Sequence, residues 1–199
     1  MPAFTPMPPE ASLMKLAVFC GSSSGNDERY QKCATEFGTF LANEGIDLVF
    51  GGGKVGLMGA VADAVLTGGG QVFGVIPASL QERELAHHGL TELEVVSGMH
   101  ERKARMAELA DGFVALPGGP GTMDELFEAW TWGQLGYHNK PCALYNAFGY
   151  YDHLLALVNH MAESGFLKTH HHRMLIVEDR AEALVEAIRA YEPPARKWS

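Results

Sequence analysis

Short apolar runs rich in β-branched and aromatic residues alternate along this chain with longer stretches in which apolar positions recur at helical spacing. The runs are "KLAVFC" (15–20), "IDLVF" (46–50), "QVFGVI" (71–76), "LEVVS" (93–97), "GFVAL" (112–116), "PCALYN" (141–146) and "MLIVE" (174–178). Most are apolar at every position rather than every second one, as in strands covered on both faces. The helical stretches lie near 27–44, 56–68, 99–110, 122–136, 150–164 and 180–191. Strands and helices alternating in this way predict right-handed βαβ crossovers. The expected fold is α/β: a single-domain, Rossmann-like, doubly wound parallel sheet of about seven strands with helices on both faces. No linker or internal repeat divides the chain. Residues 1–14, with four prolines in the first nine, read as a flexible leader, 15–191 as the domain, and 192–199 as a C-terminal tail.

Composition narrows the function classes. With 199 residues, 47% apolar and 20% charged, the chain suits one globular domain with a real core. A net charge of −9 argues against nucleic acid or an acidic membrane surface as the partner. It does not exclude a small anion, because a local nest of amides with a few cations overrules the global field. No basic residue precedes Lys15, no secretory h-region follows the start, and no apolar run is long enough to span a bilayer. Cys20, Cys33 and Cys142 are odd in number and widely spaced, which favours reduced thiols in the cytoplasm.

In a doubly wound sheet, ligands bind beyond the carboxyl ends of the strands. Three predicted strands end in glycine-rich or small-residue turns: "CGSSSGND", "FGGGKVGLMG" and "LPGGPGTMDE". Gly51, Gly53 and Gly56 satisfy G-x-G-x-x-G, but no acid follows where a dinucleotide's ribose would need one, and no complete P-loop frame surrounds Lys54. These glycines read as serving a tight turn and helix–sheet packing. In "PGGPGTMDE", Gly118, Gly119 and Gly121 bare the backbone amides, and Thr122 reads as the N-cap of the next helix, together an anion site. The competing reading is a plain capping box, Thr122-x-x-Glu125. Two features favour the anion: a cap needs no glycine triplet, and Arg102 and Lys103 in "MHERKARM" place cations at another helix start, where the macrodipole disfavours them. Glu125, at a helix start near Arg102, is expected to favour its ionised form, suiting it to act as base, nucleophile or stabiliser of positive charge.

These segments together resemble the LONELY GUY family, the cytokinin riboside 5′-monophosphate phosphoribohydrolases. "PGGPGTMDE" fits the signature P-G-G-x-G-T-x-x-E, and "VFCGSSSG", "FGGGKVGLMG", "GVIPASL", "MHERKARM", "TWGQLGYHNKP" and "GYYDHLL" follow in family order from about Lys15 to Tyr191. The resemblance implies hydrolysis of the N-glycosidic bond of (N6-modified) adenosine 5′-monophosphates to free base and ribose 5-phosphate, with no cofactor and no metal. It implies Arg102 and Glu125 as the catalytic pair. Substrate contacts would run through Gly118, Gly119, Pro120, Gly121, Thr122, Met123, Asp124 and Glu125, with Glu84, Arg102, Lys103 and Thr131. Pro120, at the loop's variable position, has no amide to donate. A homodimer is the family's usual assembly.

Some residues stay open on sequence alone. Asp124 is a candidate for assisting base departure or an exposed helix-start acid. Ser22 to Ser24 either touch the ligand or cap the first helix. Trp130, Trp132 and Tyr137 read as core or subunit contacts, and His170 to His172 as a solvated turn in preference to a metal site. Two other functions compete: a non-catalytic nucleotide or phosphometabolite carrier, and a lysine decarboxylase, which would need a pyridoxal phosphate Schiff base that no segment obviously supplies.

Overall fold

The structure is a computed structural model that describes residues 14–83 and 85–194. The expected leader, apart from Met14, and residues 195–199 lie outside the described residues. Seven strands form, each within two residues of its predicted run: β1 (Lys15–Phe19), β2 (Asp47–Phe50), β3 (Val72–Pro77), β4 (Glu92–Val96), β5 (Gly112–Ala115), β6 (Cys142–Tyr145) and β7 (Leu175–Glu178). They pair in one sheet, all parallel, in the order β4-β3-β2-β1-β5-β6-β7. The order reverses between β1 and β5, which is where a doubly wound sheet opens a crevice at its carboxyl edge.

The long helices are α1 (Glu28–Asn43), α2 (Gly56–Thr67), α4 (Met99–Leu109), α5 (Pro120–Leu135), α6 (Asp152–Glu163) and α8 (Ala181–Arg189); α3 (Ala78–Gln81) and α7 (Thr169–His172) are single turns. Strand pleating sends alternate side chains to opposite faces. Leu16 and Val18 of β1 therefore meet Phe37, Val61 and Leu184 of α1, α2 and α8. Ala17 and Phe19 meet Met106, Leu126 and Val158 of α4, α5 and α6. Two cores form, one per face, and the continuous apolarity of the strands is the consequence. β4 and β7 close the sheet's edges and are less buried than the strands between them.

Local chemistry sets the element ends. Asp27 caps α1, its side chain accepting from the Arg29 amide at 2.9 Å. Ser22 to Ser24 are therefore not the cap. Gly136 stops α5 in the left-handed conformation (φ 81°). His170 to His172 make up most of α7, and His172 Nε2 pairs with Asn159 Oδ1 at 2.8 Å. Trp130 is core, 2% exposed, whereas Tyr137 is 77% exposed. No helix among the described residues is long and apolar enough to cross a membrane.

α1 and α2 approach closely because Gly38 has no side chain. A Cβ there would lie 2.5 Å from the Val61 carbonyl oxygen and 2.8 Å from Ala64 Cβ. Gly38→Ala is expected to destabilise the fold by about 1–3 kcal/mol through overpacking, despite alanine's better helix propensity. The midpoint of urea unfolding checks it.

Candidate active site

β5 runs out at Ala115 and the chain crosses the carboxyl edge of the sheet as "LPGGPG" before α5 begins. The loop is pinned against the turn after β1, where the Gly21 amide donates to the Pro117 carbonyl at 3.1 Å. Gly118 cannot carry a side chain: a Cβ would fall 2.1 Å from Thr122 Oγ1 and 2.9 Å from the Gly21 nitrogen. The N-cap of α5 is Gly119 and Pro120 occupies the first turn, as suits a residue with no N–H to satisfy. This corrects the expectation for Thr122. It lies inside the helix, 3% exposed, so Thr122 and Glu125 are not a capping box.

Arg102 likewise sits one turn into α4, which starts at Met99. The first turn has its own carboxylate, Glu101, which accepts from Ser97 N at 2.8 Å and Ser97 Oγ at 2.6 Å. The expected dipole penalty at this helix start is therefore answered within the chain and does not by itself call for a bound anion. Arg102 is 7% exposed. Its Nε donates to the Val75 carbonyl at 3.1 Å and its Nη2 to the Gly51 carbonyl at 2.9 Å. Its Nη1 lies 3.4 Å from Glu125 Oε1. Gly51 is the residue that makes room, since a Cβ there would sit 1.7 Å from Nη2. The first glycine of the apparent dinucleotide motif thus serves an arginine from another helix.

Glu125, in the second turn of α5, has its side chain 12% exposed. Burial pushes its carboxyl above the ordinary value of 4.5, Arg102 pulls it back, and Asp124 pushes it up again. The expectation that its surroundings simply favour the ionised form fails here, because desolvation outweighs the guanidinium. Lys103 faces elsewhere. Its amine bonds Glu128 at 2.7 Å and Asp124 at 3.1 Å. Burial draws its pKa down, but those two carboxylates outweigh burial and leave it raised.

Arg102 and Glu125 open onto a crevice of about 350 Å³. Its polar end is built by Gly119 to Thr122, Asp124 and the pair itself; its apolar end by Val55, Met58, Ile76, Leu80, Leu85 and Met99. Ser22 lines it too, and Cys20 lies at its base with a buried thiol pushed far up by burial and by Glu125. Met123 instead packs against the core on the α5 face, and Thr131 is exposed on α5 outside the crevice. Glu84 lies outside the described residues. A hollow of about 410 Å³ at the far end of α5 is slightly larger, but contains neither member of the Arg102–Glu125 pair. No group of His, Cys, Asp or Glu among the described residues is placed to hold a metal.

Sequence reasoning missed Gly51's role, the carbonyls of Gly51 and Val75, the apolar wall, and Glu128 as Lys103's partner. The carbonyls and the wall have no one-dimensional signal. Glu128 had one, since "DELFE" puts it one helical turn after Asp124.

The raised carboxyl carries a stability consequence. A folded-state value above the unfolded one means the ionised form costs stability at neutral pH. That cost disappears as pH falls through the raised value. Measured against wild type, Glu125→Gln is expected to be more stable at pH 7 than it is in acid, because only the wild-type protein carries the cost of the ionised carboxyl at neutrality. That relative gain should fade in acid as the wild-type carboxyl protonates. Calorimetry at both pH values checks it.

A family model described as "Possible lysine decarboxylase" matches residues 58–188. A cytokinin riboside 5′-monophosphate phosphoribohydrolase from Arabidopsis thaliana is 47% identical over 179 residues, covering 90% of this chain and 82% of that protein. Another from the same plant is 44% identical over 188 residues, covering 94% and 88%. One from Oryza sativa subsp. japonica is 48% identical over 179 residues, covering 90% and 74%. Among solved structures, the molybdenum cofactor carrier protein from Chlamydomonas reinhardtii superposes with TM-score 0.67 at 20% identity over 90% of this chain and 99% of that one, a likeness of fold. With the glycine loop, Arg102 and Glu125 gathered at one sheet edge and this identity running the length of the domain, the chain belongs to the LONELY GUY family of cytokinin riboside 5′-monophosphate phosphoribohydrolases.

Proposed function

We propose that this protein hydrolyses the N-glycosidic bond of adenosine 5′-monophosphates, N6-modified ones included, releasing the free base and ribose 5-phosphate. The observation that carries the reading is the buried Arg102–Glu125 pair at 3.4 Å, beside the start of α5 and facing an apolar wall. The 5′-phosphate sits on the bare amides at Gly119, Gly121 and Thr122, where the helix dipole favours an anion. Its binding energy orients the ribose so that C1′ meets Glu125. Breaking the bond builds positive charge on C1′ and the ring oxygen. Glu125 in its ionised form stabilises that charge and takes a proton from the attacking water. A carboxyl raised by burial is the better base near neutrality. Arg102 holds Glu125 in register. The base lies along Met58, Ile76, Leu80 and Leu85. Asp124, tied to Lys103, is less suited to protonating the departing base.

The other readings fare less well. Among the described residues no lysine lines the crevice, which leaves pyridoxal phosphate no Schiff-base partner there. The carrier reading draws on neighbours that share the fold at 18–20% identity, far below the hydrolases. A cytoplasmic setting belongs to the same proposal, since Cys20, Cys33 and Cys142 are buried free thiols.

A homodimer also belongs to it. α5 turns Thr131 outward, with Leu135 64% and Tyr137 77% exposed beyond it. An exposed apolar face of this kind suits a subunit contact. From there Thr131 reaches a nucleotide only across a subunit boundary. Sedimentation equilibrium is expected to give twice 21.6 kDa; a monomer would remove the dimer and Thr131's role with it.

Incubation with AMP and N6-isopentenyl AMP, followed by chromatography for free base, tests the activity. Base release is expected, falling about 10²–10⁴-fold in Glu125→Ala. In wild type the rate should fall as pH drops through a carboxyl value above 4.5. Protein that binds both nucleotides without releasing base would establish the carrier instead.

A further inference from the structure

Three successive carbonyls lead into the glycine loop, and each has a partner that holds it. Leu116 O accepts from the Tyr151 hydroxyl at 2.5 Å, Pro117 O from the Gly21 amide at 3.1 Å, and Gly118 O from the Tyr150 hydroxyl at 2.7 Å. The two tyrosines come from the turn after β6, on the far side of the switch point from β1. That turn is itself unusual. Phe148 has φ 58° and is the only non-glycine with a positive φ among the described residues, a conformation such residues rarely adopt. Asn146 clamps the turn: its Oδ1 accepts from the Tyr151 amide at 2.7 Å, and its Nδ2 donates to Asp152 Oδ1 at 2.9 Å. A strained, clamped turn that delivers two hydroxyls onto one loop points to a function for the delivery.

The two bonds differ in setting. Tyr151 is 2% exposed and belongs to the core; Tyr150 is 38% exposed and lines a hollow beside the crevice, together with Tyr30 and Ser22 to Ser24. The peptide that Tyr150 holds joins two glycines, Gly118 and Gly119. Such a peptide rotates more freely than any other, since neither flanking residue carries a Cβ. In a trans peptide the carbonyl and the next N–H point in opposite directions. Holding Gly118 O toward Tyr150 therefore turns the Gly119 N–H away from it. If the peptide flipped, the loop would present a carbonyl oxygen where an amide is needed, and a carbonyl repels an anion.

We infer that Tyr150 is a positioning residue for phosphate recognition: its hydroxyl locks the Gly118–Gly119 peptide so that the loop presents N–H groups to the 5′-phosphate. The inference rests on the reading of this loop as the phosphate site. Tyr150 does not line the crevice onto which Arg102 and Glu125 open, so its loss weakens binding of everything that carries the phosphate and leaves the chemistry in place.

Tyr150→Phe removes the hydroxyl and keeps the ring. KM for AMP and Ki for ribose 5-phosphate are expected to rise together by about five- to tenfold, the size of one lost hydrogen bond. kcat should stay within roughly twofold. Ki for N6-isopentenyl adenosine, which lacks the phosphate, should not change, and the melting curve should overlay wild type. Equal ribose 5-phosphate inhibition in both proteins would overturn the role of Tyr150. So would a variant that loses the nucleoside as much as the phosphates, since that marks general damage to the fold. Wild-type protein that ignores ribose 5-phosphate altogether would instead overturn the phosphate reading of the loop.

Discussion

A guanidinium almost sealed from water dictates where four separate segments of this protein must lie. Leaving one buried charge unpaired costs several kcal/mol even after relaxation. Arg102 escapes that cost through the carbonyls of Val75 and Gly51 and the carboxylate of Glu125. β3, the turn after β2, α4 and α5 are thereby held to one geometry at the sheet's carboxyl edge. The absence of a side chain at Gly51 is part of the same constraint, because the guanidinium occupies the space a Cβ would take.

Glu125 shares the enclosure but not the comfort. Its carboxyl is pushed up by desolvation faster than Arg102 can pull it down. Holding that carboxyl ionised costs stability that its protonated form would not. Keeping an acid there fits a site in which positive charge develops during the reaction, when a poorly solvated carboxylate interacts most strongly. Lys103 is the contrasting case one residue along. Glu128 and Asp124 satisfy its charge, and it works as a strut between α4 and α5.

The fold supplies the remaining condition. At the switch point between β1 and β5 the backbone of Gly21 touches Pro117 and Gly118. The loops that follow the two strands are therefore fixed against each other before any ligand arrives. Preorganised amides need no rearrangement on binding, which is what the phosphate role proposed for this glycine loop requires.

The architecture was legible in one dimension because its signals are local and repeated. Runs such as "LVF" and "GFVAL" are short, apolar at every position and bounded by turn residues, the pattern of a strand covered on both faces. The candidate chemical residues stood out for a related reason: three glycines in four positions bare the backbone just before a helix start, and that signal is local too. The roles of several residues were not legible. Thr122 looked like a cap and lies within the helix, because Pro120 starts α5 sooner than its capping-box pattern suggests. Glu125 looked comfortably ionised, because burial, the larger influence, depends on what α4 and β1 place around it. Gly51 looked like part of a cofactor motif, and its partner stands 51 residues away. Periodicity and turn chemistry are properties of neighbours in the chain, so the sequence alone determined the elements and the candidates. Desolvation, charge pairing and side-chain exclusion are properties of neighbours in space, and only the tertiary structure decided those.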